Sequence, residues 1–164
     1  MGDAIANSQT SRREVLGGGA ALLVVGVGSA SVPANAQSTL PAAEGLAPAL
    51  ARIAAGRPVG AGRVKVTLPE LAENGNVVAL SVDVQSPMIE ADHVRAIHVL
   101  SEKNPITTVA RFTLSPSAGR ARVATNIRLA DTQKVVALAE MSDGSLWSGE
   151  AQVVVTLAAC IDGG

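Results

Sequence analysis

Cysteine and aromatic residues are almost missing from this chain. Its 164 residues include one Cys, one Phe, one Trp and no Tyr. Two rings, Phe112 and Trp147, cannot build the stacking platform on which sugars or single-stranded nucleic acid are held. A single thiol excludes an internal disulfide. Histidine is scarce too: His93 and His98, five apart on a strand and its approach, lie on opposite faces and cannot share a metal. Each reads as an ordinary edge or surface residue. The net charge is only −1, and without a basic excess nucleic acid and anionic membrane surfaces are poor candidates as partners. No phosphate-binding loop, dinucleotide glycine pattern or Ser-His-Asp set is present. The single carboxylate of Ser142-Asp143-Gly144 is too few for calcium, which takes six to eight oxygens.

What is present begins with an export signal. Thr10-Ser11-Arg12-Arg13-Glu14-Val15-Leu16 is a twin-arginine region, with Val15 where an aromatic is usual. A Gly-rich apolar run follows over residues 17–28, too short to span a membrane. Ala34-Asn35-Ala36 then offers a cleavage site before Gln37. Twin-arginine signals carry folded proteins into the bacterial periplasm. Removing the first 36 residues leaves 128, enough for one domain. The expected organisation is a signal over 1–36, a folded body over 37–157 and a C-terminal arm over 158–164.

Within the body, residues 37–41 are expected to be a mobile leader. Ala42–Ala55 reads as one helix, with Leu46, Ala49, Leu50 and Ile53 on a buried stripe. Gly56-Arg57-Pro58 ends it. The period then switches to two. Asn76–Val84 buries Val78, Leu80, Val82 and Val84, Thr107–Leu114 buries Thr108, Ala110, Phe112 and Leu114, and Ala121–Leu129 buries Val123, Thr125, Ile127 and Leu129. Leu146–Leu157 points Trp147, Ala151, Val153, Val155 and Leu157 inward. Weaker strands fit Arg63–Leu68, Val94–Leu100 and Lys134–Met141. Asn74-Gly75 and Asp143-Gly144 are hairpin-turn dipeptides. About seven short strands with frequent turns predict an all-β fold, an immunoglobulin-like antiparallel sandwich preceded by one helix and followed by a flexible arm. Glu70, Glu73, Glu90 and Asp92 read as a solvated face. Arg120, Arg122 and Arg128 alternate along one strand as a solvated row or a basic edge.

The chemistry falls on Cys160, four residues from the end. A lone exposed thiol in an oxidising compartment is a liability unless its reactivity is used. The reach from Leu157 to Cys160 is about 10 Å if extended, enough to enter a cleft on another protein. Asp162 and the terminal carboxylate disfavour thiolate, so Cys160 is expected to be no more acidic than an ordinary thiol and to be activated in a partner's pocket. Three readings stay open: a non-catalytic carrier, a stand-alone thiol-dependent sulfurtransferase, and a structural sandwich that dimerises through its cysteine.

Several blocks carry a resemblance. Residues 68–78 (Leu-Pro-Glu-Leu-Ala-Glu-Asn-Gly-Asn-Val-Val), Gln85-Ser86-Pro87-Met88, Lys103-Asn104-Pro105, residues 111–116, residues 127–133 and Met141-Ser142-Asp143-Gly144 resemble the SoxY family of thiosulfate-oxidation sulfur carriers. The resemblance runs from about Gly62 to the C-terminus. It implies a β-sandwich that forms a heterodimer with a second small sandwich protein, SoxZ, and has no cofactor of its own. It implies that Cys160 is the covalent sulfur attachment point. It implies as well that a haem-containing partner loads thiosulfate, that a dimanganese hydrolase releases sulfate, and that a molybdenum dehydrogenase, where present, oxidises the remaining sulfur. The arm departs from the family's usual Gly-Gly-Cys-Gly-Gly. Here Ala158 and Ala159 precede Cys160, and Ile161 and Asp162 separate it from Gly163 and Gly164, giving a stiffer and bulkier tip.

Overall fold

Strands dominate because β-branched residues alternate with polar ones between turn signals. The computed structural model describes residues 44–159. The expected signal, its cleavage site, the leader and Cys160 lie outside the described residues. The elements run α1 (Leu46–Ala54), β1 (Val59–Ala61), β2 (Val64–Thr67), β3 (Leu71–Ala72), β4 (Val78–Val84), β5 (Val94–Ser101), β6 (Thr108–Thr113), β7 (Arg122–Ile127), β8 (Gln133–Met141) and β9 (Leu146–Val155). One sheet has the order β1-β9-β8-β5-β6, with β3 also paired to β9, and the other has the order β2-β4-β7. The chain changes sheet after β1, β2, β3, β4, β6 and β7, and the two sheets face each other as in an immunoglobulin-like sandwich.

All seven expected strands form, each within a few residues of its expected limits. Two more were not legible: β1 and β3 pair parallel to β9 at its two ends, and at three and two residues neither is long enough to show a period. Val78, Leu80, Val82 and Val84 are buried as expected, packed on Ile97, Val99, Ala137 and Val153 of the facing sheet. Gly149, on the inward phase of β9, lies against β2, and a Cβ there would strike the Val64 carbonyl. The absence of a side chain lets the sheets close at this edge. Phe112, Ala110, Leu114 and Val123 face the core but are only partly buried, because β6 and β7 end their sheets on the same open side.

The helix forms a third layer over the outer face of the larger sheet. Ala49 and Ala54 are buried there with Leu100, Leu138 and Leu146, and Leu46, Leu50 and Ile53 pack around them. It starts at Leu46, later than expected, with Gly45 as N-cap and Pro48 tolerated in the first turn. Ala55 in the left-handed region and Gly56 end it. Side chains fix both ends. The Thr107 hydroxyl donates to the Glu44 carbonyl. Arg57 donates to the carbonyls of Ala54 (3.0 Å) and Ile53 (3.1 Å) and reaches Glu140 Oε1 (3.1 Å) and the Gly144 carbonyl (3.1 Å).

This layer overturns the surface reading of His98. Its ring is 8% exposed beneath the helix layer, and Nε2 has no partner. Burial lowers its pKa; Arg111 from β6 and Arg52 and Arg57 from the helix and its end lower it further, while Glu140 from β8 acts the other way. The unfolded chain therefore binds a proton that the folded chain resists. The His98 contribution is fully present above the ordinary imidazole value of about 6.5 and is lost as the pH falls below it. Urea midpoints are expected to drop between pH 8 and pH 5.5 in the wild type and to stay level in His98→Leu. A wild-type midpoint that holds at pH 5.5 would contradict a neutral buried ring.

Candidate functional site: the root of the C-terminal segment

The segment that leads to Cys160 leaves the sandwich at the end of β9, and backbone bonds decide where. Thr156 N–H donates to the Ala72 carbonyl at 3.0 Å, and its hydroxyl donates to the Glu73 carbonyl at 3.0 Å. The alternation of β9 stops there. Leu157, expected inward, is 68% exposed, because the chain bends immediately after Val155 and the next side chain no longer follows the pleat.

Three segments meet just beyond this bend. Gly75 N–H donates to the Leu157 carbonyl (2.8 Å), Leu129 N–H to the Gly75 carbonyl (2.8 Å), and Ala159 N–H to the Leu129 carbonyl (3.1 Å). Gly75 is buried between the other two. A Cβ on it would strike the Leu129 carbonyl oxygen and approach the Ala159 nitrogen to 2.7 Å. Asn74-Gly75 is therefore not the hairpin its sequence suggests. It joins β3, which pairs with β9, to β4 in the other sheet, and Asn74 Oδ1 turns the chain by accepting from Asn76 N–H at 2.8 Å. Asp143-Gly144 does make a hairpin, between β8 and β9, with Gly144 at φ 84°.

Of the expected arm residues, two fall within the described chain. Ala158 is exposed. Ala159 is 4% exposed and is tied to Leu129, so it belongs to the packing of the sandwich and not to a free arm. Cys160, Ile161, Asp162, Gly163 and Gly164 lie outside the described residues.

Buried polar groups brace this corner, and sequence reading missed them. Asn104 Nδ2 donates to the Arg128 carbonyl at 2.8 Å. Asn104 Oδ1 accepts from Ala130 N–H at 3.0 Å and from Gln133 Nε2 at 2.9 Å. Gln133 Oε1 accepts from Lys103 N–H at 2.7 Å. Both amides are buried, so together they replace water for a loop that could not otherwise be desolvated. Leu129, whose carbonyl holds Ala159, sits between the two residues Asn104 grips. The only trace in the sequence was the pair of amides in Lys103-Asn104-Pro105 and Thr132-Gln133, read there as parts of a resemblance.

Charges at this end are exposed. Lys103 Nζ lies 2.9 Å from Asp131 Oδ2 and, with the Thr132 N–H, holds that carboxyl below its ordinary value. The three arginines of the β7 region do not form one basic edge: Arg122 lies in register with Asp83 of β4, while Arg120 and Arg128 flank opposite ends of the strand. His93 is remote from His98, its Nδ1 sharing the carbonyls of Ile89 and Glu90 at 3.2 Å. Among the described residues no three His, Cys, Asp or Glu side chains are grouped to hold a metal ion, and no helix is long and apolar enough to cross a membrane.

Comparison with known proteins agrees with this architecture. The family described as "Sulfur oxidation protein SoxY" matches residues 50–160. The solved structure of the sulfur carrier protein SoxY from Chlorobium limicola f thiosulfatophilum superposes with a TM-score of 0.57 at 26% identity, over 68% of this chain and 96% of that one. Superoxide reductase (neelaredoxin) from Ignicoccus hospitalis gives 0.51 at 19% identity, over 57% and 80%. Superoxide reductase from Nanoarchaeum equitans gives 0.50 at 12%, over 58% and 100%. These last two share the fold alone. Comparison with curated proteins gave no match. A family match that runs from the helix through both sheets to the lone cysteine, on a sandwich shared with a solved carrier, makes this chain a member of the SoxY family, a family of sulfur carriers and not of enzymes.

Proposed function

We propose that the chain is a periplasmic carrier that holds thiosulfate-derived sulfur covalently on Cys160 and presents it to separate oxidising enzymes. The observation that carries this is position. The family match ends on the chain's only cysteine, one residue beyond the point where the backbone is tied to the sandwich. The proposed organisation keeps the signal over residues 1–36. It moves the start of the free arm from Ala158 to Cys160, because Ala159 is packed.

Loading joins the Cys160 thiolate to the outer sulfur of thiosulfate, forming one S–S bond and passing two electrons to a haem-containing partner. Hydrolysis at a dimanganese partner then breaks the bond between sulfur and sulfonate. Water supplies the oxygen, sulfate leaves with two protons, and a persulfide remains on Cys160. A molybdenum partner, where present, oxidises the outer sulfur of that persulfide to a sulfonate, taking six electrons while three waters supply the oxygens and six protons leave. The metals belong to the partners; the carrier contributes the thiol, its location and the neutral, cofactor-free body. Ile161 and Asp162 widen the tip beyond the family's glycines, which favours partners with a roomier entrance.

For the SoxZ-like subunit we propose the open side of the sandwich. A cleft of about 610 Å³ runs there between β6 and β7, lined by Asn104, Ile106, Val109, Ala110, Phe112 and Arg128 among others. Both strands end their sheets and present unpaired backbone groups, and Ile106 at its rim is 76% exposed.

Two outcomes test this reading. Cys160→Ser is expected to abolish thiosulfate-dependent sulfate release by a deletion strain complemented with the variant; wild-type rates would contradict the carrier role. Ile106→Arg is expected to weaken binding of the purified partner subunit roughly tenfold or more, the effect of losing one apolar anchor. Titration calorimetry reads that loss, and an unchanged affinity would place the interface elsewhere.

A further inference from the structure

We infer that Gly75 and Leu129, braced by Asn104 and Gln133, are positioning residues that fix where the carrier thiol leaves the body and how far it reaches. Its functional meaning rests on the carrier reading above; its geometry does not.

The inference follows from the ties themselves. Were the chain free from Leu157 onward, Cys160 would swing on a tether of about 10 Å. The Gly75–Leu157 and Leu129–Ala159 bonds close both sides of Leu157-Ala158-Ala159. Covalent geometry then holds the Cα of Cys160 about 3.8 Å from that of an anchored, buried residue. A partner that attacks the sulfur must therefore bring its rim against the sandwich around Leu157 and Gly75. Restricting the thiol lowers the entropy lost when it enters an active site, while confining it to partners shaped for the sandwich corner. Gly75 alone has the size for this corner, because any Cβ would wedge Leu129 and Ala159 apart. The Asn104 amide holds the carbonyl of Arg128 and the N–H of Ala130 on either side of Leu129, so the acceptor for Ala159 cannot drift.

Because the chain has one cysteine, a nitroxide attaches to Cys160 alone. In the full mature chain, its electron paramagnetic resonance spectrum is expected to show a slow, restricted component. Ala159→Pro deletes the N–H that donates to Leu129 and leaves the rest of the sandwich untouched; Gly75→Ala forces the clamp open. Both are expected to convert the spectrum to the fast component while Trp147 fluorescence, reporting from the other end of β9, stays unchanged. Asn104→Leu is expected to give a mixture. Identical spectra for the wild type and a folded Ala159→Pro would overturn the inference. Hydrogen exchange on the unmodified protein covers the case in which the variants unfold: the Gly75, Leu129 and Ala159 amides are expected to exchange at least roughly tenfold slower than in an unstructured peptide, and exchange at the unstructured rate would equally overturn it. Neither readout needs sulfur on Cys160, so failure to find a sulfur adduct in cells counts against the carrier reading and leaves the clamp standing.

Discussion

At one point in this sandwich three backbones meet with no room for a side chain. Gly75 lies between the Leu129 carbonyl and the Ala159 nitrogen, and three hydrogen bonds link Gly75, Leu129 and the segment that follows β9. The described chain ends on that junction, at Ala159. The same junction depends in turn on the buried Asn104–Gln133 pair, which satisfies the loop that carries Leu129. A polar network of this kind is stable only when every member is paired, and here each amide meets a backbone or side-chain partner.

The larger sheet supplies the rigidity that such a junction needs. Its two central strands, β5 and β8, are covered on one side by the smaller sheet and on the other by α1. Ile97, Val99, Val135 and Ala137 face one layer, and Leu100 and Leu138 the other. β9 pairs with β8 along nearly its whole length, so the strand that runs out toward Cys160 is fastened to the most buried part of the molecule. Arg57 and Thr107 pin the two ends of the helix across the outer face.

Much of this was legible in the sequence, and the failures have physical causes. Strands with one wet face, such as β4, alternate cleanly and were read residue by residue. β5 and β8 were read only weakly because burial on both faces erases the alternation, and for the same reason His98 passed for a surface residue. β1 and β3 were too short to leave a period. Asn74-Gly75 carries hairpin chemistry, yet its flanking strands find partners in different sheets, and a turn dipeptide says nothing of which sheet follows. Leu157 kept the period of β9 in sequence after the backbone had left the pleat. The lone cysteine drew attention to the C-terminal end of the chain at once. The clamp behind it did not, since its donors and acceptors are main-chain groups that every residue possesses.

The central claim is that Cys160 holds sulfur on a body that performs no chemistry of its own. Intact mass of the protein taken from sulfur-oxidising cells, before and after reductant and with the C-terminal peptide fragmented, tests it most directly. Reductant-labile thiosulfonate or persulfide additions confined to Cys160 are the predicted result. A bare thiol, or only a disulfide between two copies of the chain, would contradict it and leave a sandwich whose cysteine is merely structural.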